Sequence, residues 1–181
     1  MSASERKKWP DVERRAKNRR LAANRRRQER RSGLDRRNEA AWVPIPVDAS
    51  DRSDDDLVAA ATAAREYAQA AYSGFKVGAA LELADGSVVT GCNVENATYG
   101  LTVCAERVAL LKALSEGKTS FTRIAIVADT ADPTPPCGAC RQLLWEYCGD
   151  IPVVLANLER PTGRYNLAAL LPLAFDARLL K

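Results

Sequence analysis

The chain has 181 residues, enough for one well-cored domain, and 46% of them are hydrophobic, an ordinary globular content. Its net charge of +4 is uneven: residues 1–41 hold 15 Lys/Arg against 6 Asp/Glu, net +9, which leaves 12 against 17, net −5, in residues 42–181. The mildly acidic body excludes a broad basic surface tracking a nucleic-acid backbone, no apolar run approaches the roughly 20 residues of a membrane span, and five cysteines in a mixed helix-and-strand pattern exclude a small disulfide scaffold.

Residues 1–41 carry Arg, Lys, Asn and Gln with almost no large apolar side chains, too little to offset the entropy of ordering. A disordered extension or a lone solvated helix is expected there, with Trp42-Val43-Pro44-Ile45-Pro46 as an extended linker. The expected division is an extension and linker over 1–47 and a folded body over 48–181. Ser53 ahead of Asp54, Asp55 and Asp56 predicts a helix start, a hydroxyl cap followed by negative charge at the positive end of the dipole. Apolar residues at 57, 60, 61, 64, 68 and 71 keep helical spacing until Ser73-Gly74 breaks it.

Val77 to Leu83 reads as a strand that reverses at Ala84-Asp85-Gly86 into a second strand over Val88 to Val94. A helix from about Cys104 to Leu114 stops at Gly117, a strand covers Ile124 to Ala128, a helix from about Cys137 stops at Gly149, and Ile151 to Ala156 is a further strand. The last two strands are continuous apolar runs, which suits burial on both faces, and the helix between them makes them parallel. A mixed α/β sheet between helical layers is therefore expected.

The chemistry concentrates in Cys104-Ala105-Glu106 and Pro136-Cys137-Gly138-Ala139-Cys140. The chain has no histidine, so a zinc ion held here must lean on thiolates. Cys137 and Cys140 are three apart in the first turn of a helix and point the same way, while Cys104 sits at a second helix start. Both positions favour the thiolate form. Three ligands leave a fourth position for water, the mark of a catalytic rather than a structural site. Glu106 supplies a carboxylate able to take a proton from that water, although two residues beyond a ligand on an ideal helix it reaches the reacting centre only if substrate lies across the helix start. Arg107 stands ready to offset the residual negative charge.

Rival readings stay open. Cys92 as a fourth ligand would close the site into a structural zinc, whereas Cys148, eight residues past Cys140 on one helix, lies about 12 Å from it along the axis, too far to share an ion. All five cysteines could instead be small buried hydrophobes. Glu106 could be a solvated first-turn glutamate.

These residues resemble the zinc deaminases, whose ligand-x-Glu and Pro-Cys-x-x-Cys pattern appears here with cysteine as first ligand. The likeness extends through Phe75-Lys76-Val77-Gly78-Ala79-Ala80-Leu81, Gly91-Cys92-Asn93-Val94-Glu95-Asn96-Ala97, Cys140-Arg141-Gln142 and Leu170-Leu171-Pro172 with Phe175, so that residues 53–176 resemble the small homotetrameric cytidine deaminases. The resemblance implies a three-layer α/β/α sandwich with a mixed five-stranded sheet, one Zn²⁺ per subunit on Cys104, Cys137 and Cys140, and a homotetramer whose active sites are completed by neighbouring subunits. It implies Asn93 and Glu95 as ligands of the ribose hydroxyl, Phe75 against the pyrimidine face, backbone near Ala105 reading the ring, and Phe175 and Tyr99 reaching a neighbour's site. The implied reaction is hydrolytic deamination at C4 of cytidine or deoxycytidine, with Glu106 carrying protons and ammonia leaving, a step of pyrimidine salvage.

Two other functions compete: deamination of an aminonucleoside of the blasticidin type, and a zinc-stabilised RNA-binding module acting through the basic arm. The Asn93-Val94-Glu95-Asn96 stretch favours plain nucleosides. The extension is the departure from the short family members. It reads as a solvated tail, as a nucleic-acid contact by residues 1–41, or as untranslated sequence; Met1 is the only methionine, so the last requires a non-Met start near Val43, Val47 or Leu57. The absence of a signal-like apolar stretch and the free cysteines point to a cytoplasmic enzyme without membrane attachment.

Overall fold

The computed structural model describes residues 52–180, so the basic extension, the domain boundary after residue 47 and the nucleic-acid reading of residues 1–41 lie outside the described residues. The order is α1 (Arg52–Arg65), β1 (Val77–Leu83), β2 (Val88–Cys92), a 3₁₀ turn at Tyr99–Leu101, α2 (Ala105–Ser115), β3 (Phe121–Ala128), α3 (Gly138–Cys148), β4 (Pro152–Ala156), β5 (Pro161–Asn166), the one-turn α4 (Leu167–Leu170) and a 3₁₀ turn at Ala177–Leu180. The strands form one sheet ordered β2-β1-β3-β4-β5. β3 and β4 run parallel, as their helical crossover requires, and the other neighbours pair antiparallel.

Alternation along the strands sends their side chains into two cores. Ala79, Leu81, Ile124, Ile126, Val153 and Leu155 pack with Ala105, Ala109 and Leu110 of α2 and Leu144 of α3. Ala80, Ala125, Val127, Val154 and Ala156 pack instead with Leu57 and Ala61 of α1. Helix α1 thus covers one face and α2 and α3 the other, a three-layer α/β/α sandwich. The runs in β3 and β4 are apolar throughout because both of their faces are buried. Each fully buried Leu or Ile in these layers contributes about 1.5–3 kcal/mol.

Glycines on the two hairpin strands set how closely the helices approach. A Cβ at Gly78 would stand 2.0 Å from the Ala61 carbonyl oxygen of α1, and one at Gly91 would stand 2.5 Å from the Ala109 nitrogen and 2.6 Å from the Ala105 oxygen of α2. Gly91 pairs with Ala79, and Gly78 pairs with Cys92. Cys92 is therefore on the α1 face of the sheet.

Several expectations change in detail. Helix α1 starts at Arg52 and ends at Arg65, short of Ser73, because Gln69 spends its N–H on the Asn93 carbonyl (2.9 Å) and its carbonyl on the Glu95 N–H (2.8 Å), bonds a continuing helix would have made internally. Asp54, expected as a charge facing the helix dipole, is buried and pairs with Arg123 (2.6 Å) and Arg164 (3.0 Å), tying the start of α1 to β3 and β5. Glu82 on β1 grips the same Arg123 at 2.8 and 2.9 Å. Strand β2 ends at Cys92, after which Val94 bridges Gln69 and Val103 instead of β1. The strand β5 was not visible in the residue pattern.

Candidate active site

Cys104 and Cys137 are the N-cap residues of α2 and α3, both extended, with φ/ψ of −71°/155° and −65°/164°. Two helix N-termini therefore converge, and their unpaired N–H groups favour negative charge where the sulfurs meet. The Sγ atoms of Cys104, Cys137 and Cys140 all lie within 4.8 Å of one another, Cys104 to Cys137 at 3.9 Å and Cys137 to Cys140 at 3.4 Å. Zinc–sulfur bonds of about 2.3 Å in a tetrahedron put sulfurs about 3.8 Å apart, so this spacing fits the ion. Among the described residues no other cluster of this kind is present, and neither Cys92 nor Cys148 joins this one. Cys92 is excluded by strand parity, on the opposite face of the sheet, and Cys148 by the length of α3, so three protein donors leave a tetrahedral position open.

The electrostatics favour the thiolate form at Cys104. Hydrogen bonding from the Cys140 thiol, followed by that from Arg107, lowers Cys104 to about 5 despite its partial burial. The same bond to Cys104 and the burial of Cys140 push that thiol up. Arg107 Nη2 donates to the Thr102 carbonyl at 2.9 Å and to Cys104 Sγ at 3.6 Å, which places its charge against the cluster.

Glu106 is buried, 4% exposed. The ideal-helix angle that set it apart from Cys104 does not apply, because Cys104 is an extended cap outside the helix. Both residues, with Cys137 and Ala105, line one cavity of about 250 Å³. Burial pushes the Glu106 carboxyl above the ordinary carboxylate range, and the neighbouring Cys104 charge acts in the same direction.

Phe75, Asn93 and Glu95 line the same cavity. Asn93 is buried, with Oδ1 accepting from the Val77 N–H and Nδ2 donating to the Phe75 carbonyl, each at 2.8 Å. Glu95 accepts from the backbone of Tyr72 and Ser73 and from the Ser73 hydroxyl, and that hydroxyl above all holds its carboxyl below the ordinary range. Ser73, Thr102 and Thr134 also line the cavity and carried no signal in the sequence beyond being small and polar.

Similarity to known proteins agrees with this chemistry. Residues 51–156 match the family described as the cytidine and deoxycytidylate deaminase zinc-binding region. A cytidine deaminase from Halalkalibacterium halodurans is 54% identical over 122 residues, covering 67% of this chain and 92% of that protein. The crystal structure of a cytidine deaminase from Burkholderia pseudomallei superposes with a TM-score of 0.65 at 51% identity, over 67% of this chain and 98% of that one. A blasticidin-S deaminase from Bacillus cereus is more distant, 31% identical over 107 residues, covering 55% of this chain and 76% of that protein. With more than half of its length inside the family region and a half-identical relative matched almost end to end, the chain belongs to the cytidine and deoxycytidylate deaminase family.

Proposed function

We propose that this chain catalyses the zinc-dependent hydrolytic deamination of cytidine and deoxycytidine, giving uridine or deoxyuridine and ammonia. The observation that carries it is a buried carboxylate and two of three clustered thiols opening on one nucleoside-sized cavity. Cys104, Cys137 and Cys140 would hold the zinc ion, which supplies a Lewis acid and lowers the pKa of water. Glu106, kept out of bulk solvent, takes a proton from the attacking water and delivers it to N3 of the ring. It then takes the remaining proton of the oxygen now bonded to C4 and passes it to the amino group leaving C4, so one water is consumed and one ammonia released. Arg107 offsets the negative charge of the three thiolates. Phe75 packs on the pyrimidine face, backbone at Ala105 reads its polar edge, and, with the bonding capacity left after their loop contacts, Asn93 donates to the sugar hydroxyl and Glu95 accepts from it.

Residues 48–181 form the catalytic domain in this reading, working in the cytoplasm, where thiols stay reduced. The exposed apolar side chains of Tyr99, Leu101, Leu173 and Phe175 support a homotetramer with shared sites. The test is Glu106→Gln, assayed by the ultraviolet change on cytidine with zinc quantified in the same sample. Zinc content at the wild-type level with turnover down at least 10²-fold is the expected result. Undiminished turnover, or blasticidin S turned over faster than cytidine by the wild type, would refute the reading.

A further inference from the structure

Ser73 sits where the sugar side of the cavity meets the loop that carries Phe75. Its hydroxyl contacts Glu95 Oε1, and the Phe75 N–H donates to the same hydroxyl oxygen at 2.9 Å. A serine hydroxyl has one proton, and with Glu95 an acceptor that proton is directed to the carboxylate. Glu95 Oε2 is occupied by the N–H groups of Tyr72 (2.8 Å) and Ser73 (3.1 Å). A carboxylate offers about four acceptor sites. Three of these serve the 72–73 segment, which leaves one on Oε1, the oxygen whose direction Ser73 sets. Ser73 and Glu95 line the main cavity and also the adjoining one bordered by Tyr72 and Tyr99.

We propose that Ser73 is a positioning residue for sugar recognition: its hydroxyl orients Glu95 Oε1 toward a nucleoside hydroxyl and, through the Phe75 N–H, couples that oxygen to the ring lying over the base. The inference rests on the sugar-binding reading of Glu95 and extends it to a residue that never contacts the reacting carbon.

The experiment is a kinetic cycle with cytidine and 2′,3′-dideoxycytidine, which lacks both hydroxyls, on the full chain loaded with zinc. In the wild type, kcat/KM for cytidine exceeds that for dideoxycytidine by at least tenfold, the worth of one hydrogen bond to a charged acceptor. Ser73→Ala shrinks that ratio by about tenfold, the loss appearing in KM for cytidine, and Ser73→Thr, which keeps the hydroxyl, restores it. A ratio that stays at the wild-type value in Ser73→Ala overturns the proposal, because a residue that merely braced the loop would weaken both substrates alike. If the alanine variant does not fold, Ser73→Cys, with a weaker donor of similar shape, is read by the same ratio. A wild-type ratio near one sinks the Glu95 reading, and no turnover of either substrate sinks the deaminase reading. Each of these takes the Ser73 inference with it, but they are seen before any variant is made.

Discussion

Gly91 joins the packing of the sheet to the chemistry, and adding one methyl group there tests that connection. In Gly91→Ala the new Cβ would lie 2.5 Å from the Ala109 nitrogen and 2.6 Å from the Ala105 oxygen, short of the 3.4 Å at which ordinary contact begins by 0.8–0.9 Å. Both atoms are backbone, so no rotamer change relieves the contact and the whole N-terminal half of α2 must retreat. Overpacking of this kind costs about 2 kcal/mol, or roughly 8 °C in Tm for a domain of this size. The retreat also moves Cys104, whose Sγ is 3.9 Å from that of Cys137, by a large fraction of the tolerance of a tetrahedral site. A misplacement approaching 1 Å lowers kcat by about 10–100-fold. Differential scanning calorimetry, steady-state kinetics and metal quantification check these outcomes, with Gly86→Ala as the comparison. That hairpin glycine has open space around it but a φ of +79°, so its alanine variant loses about 1 kcal/mol of stability without losing rate. If Gly91→Ala keeps kcat within twofold of wild type, or if Gly86→Ala loses rate equally, the link from sheet packing to the metal site is refuted.

Asp54→Ala removes the carboxylate that Arg123 and Arg164 share in the seam beneath α1. Breaking a buried ion pair costs about 3 kcal/mol here, where Glu82 still serves Arg123, and roughly 12 °C in Tm by thermal melting. Arg141 donates to the Pro136 carbonyl, just ahead of Cys137, and to the Leu170 carbonyl, both at 2.7 Å, so it braces the loop that presents a ligand. Arg141→Gln should release zinc about 10-fold faster to a chromogenic chelator, with the folded state intact by circular dichroism; an unchanged release rate would show that the brace is irrelevant to the metal.

Much of the site was legible because its determinants are local. A helix cap, a three-residue spacing and the chemistry of sulfur each act within one turn, so Cys104, Glu106, Cys137 and Cys140 could be singled out without coordinates. The buried strand β4 and residues 124–128 of β3 were equally plain as unbroken apolar runs. Strand β5 was not, because an edge strand that starts at a proline and buries only alternate positions, Gly163 and Tyr165 with the polar Arg164 between them, leaves no apolar run. Asp54 looked like a dipole charge at a helix start because its partners stand 69 and 110 residues away.

Local sequence determined which residues make up the candidate site, since ligand type and helix-start spacing are properties of a few neighbouring side chains. Tertiary structure alone decided that the starts of α2 and α3 meet, that Glu106 in the first turn of α2 lines the cavity beside the extended cap Cys104, and that Cys92 faces away. Those outcomes depend on strand parity and on how closely helices approach bare glycines across a sheet, distances that no stretch of chain encodes by itself.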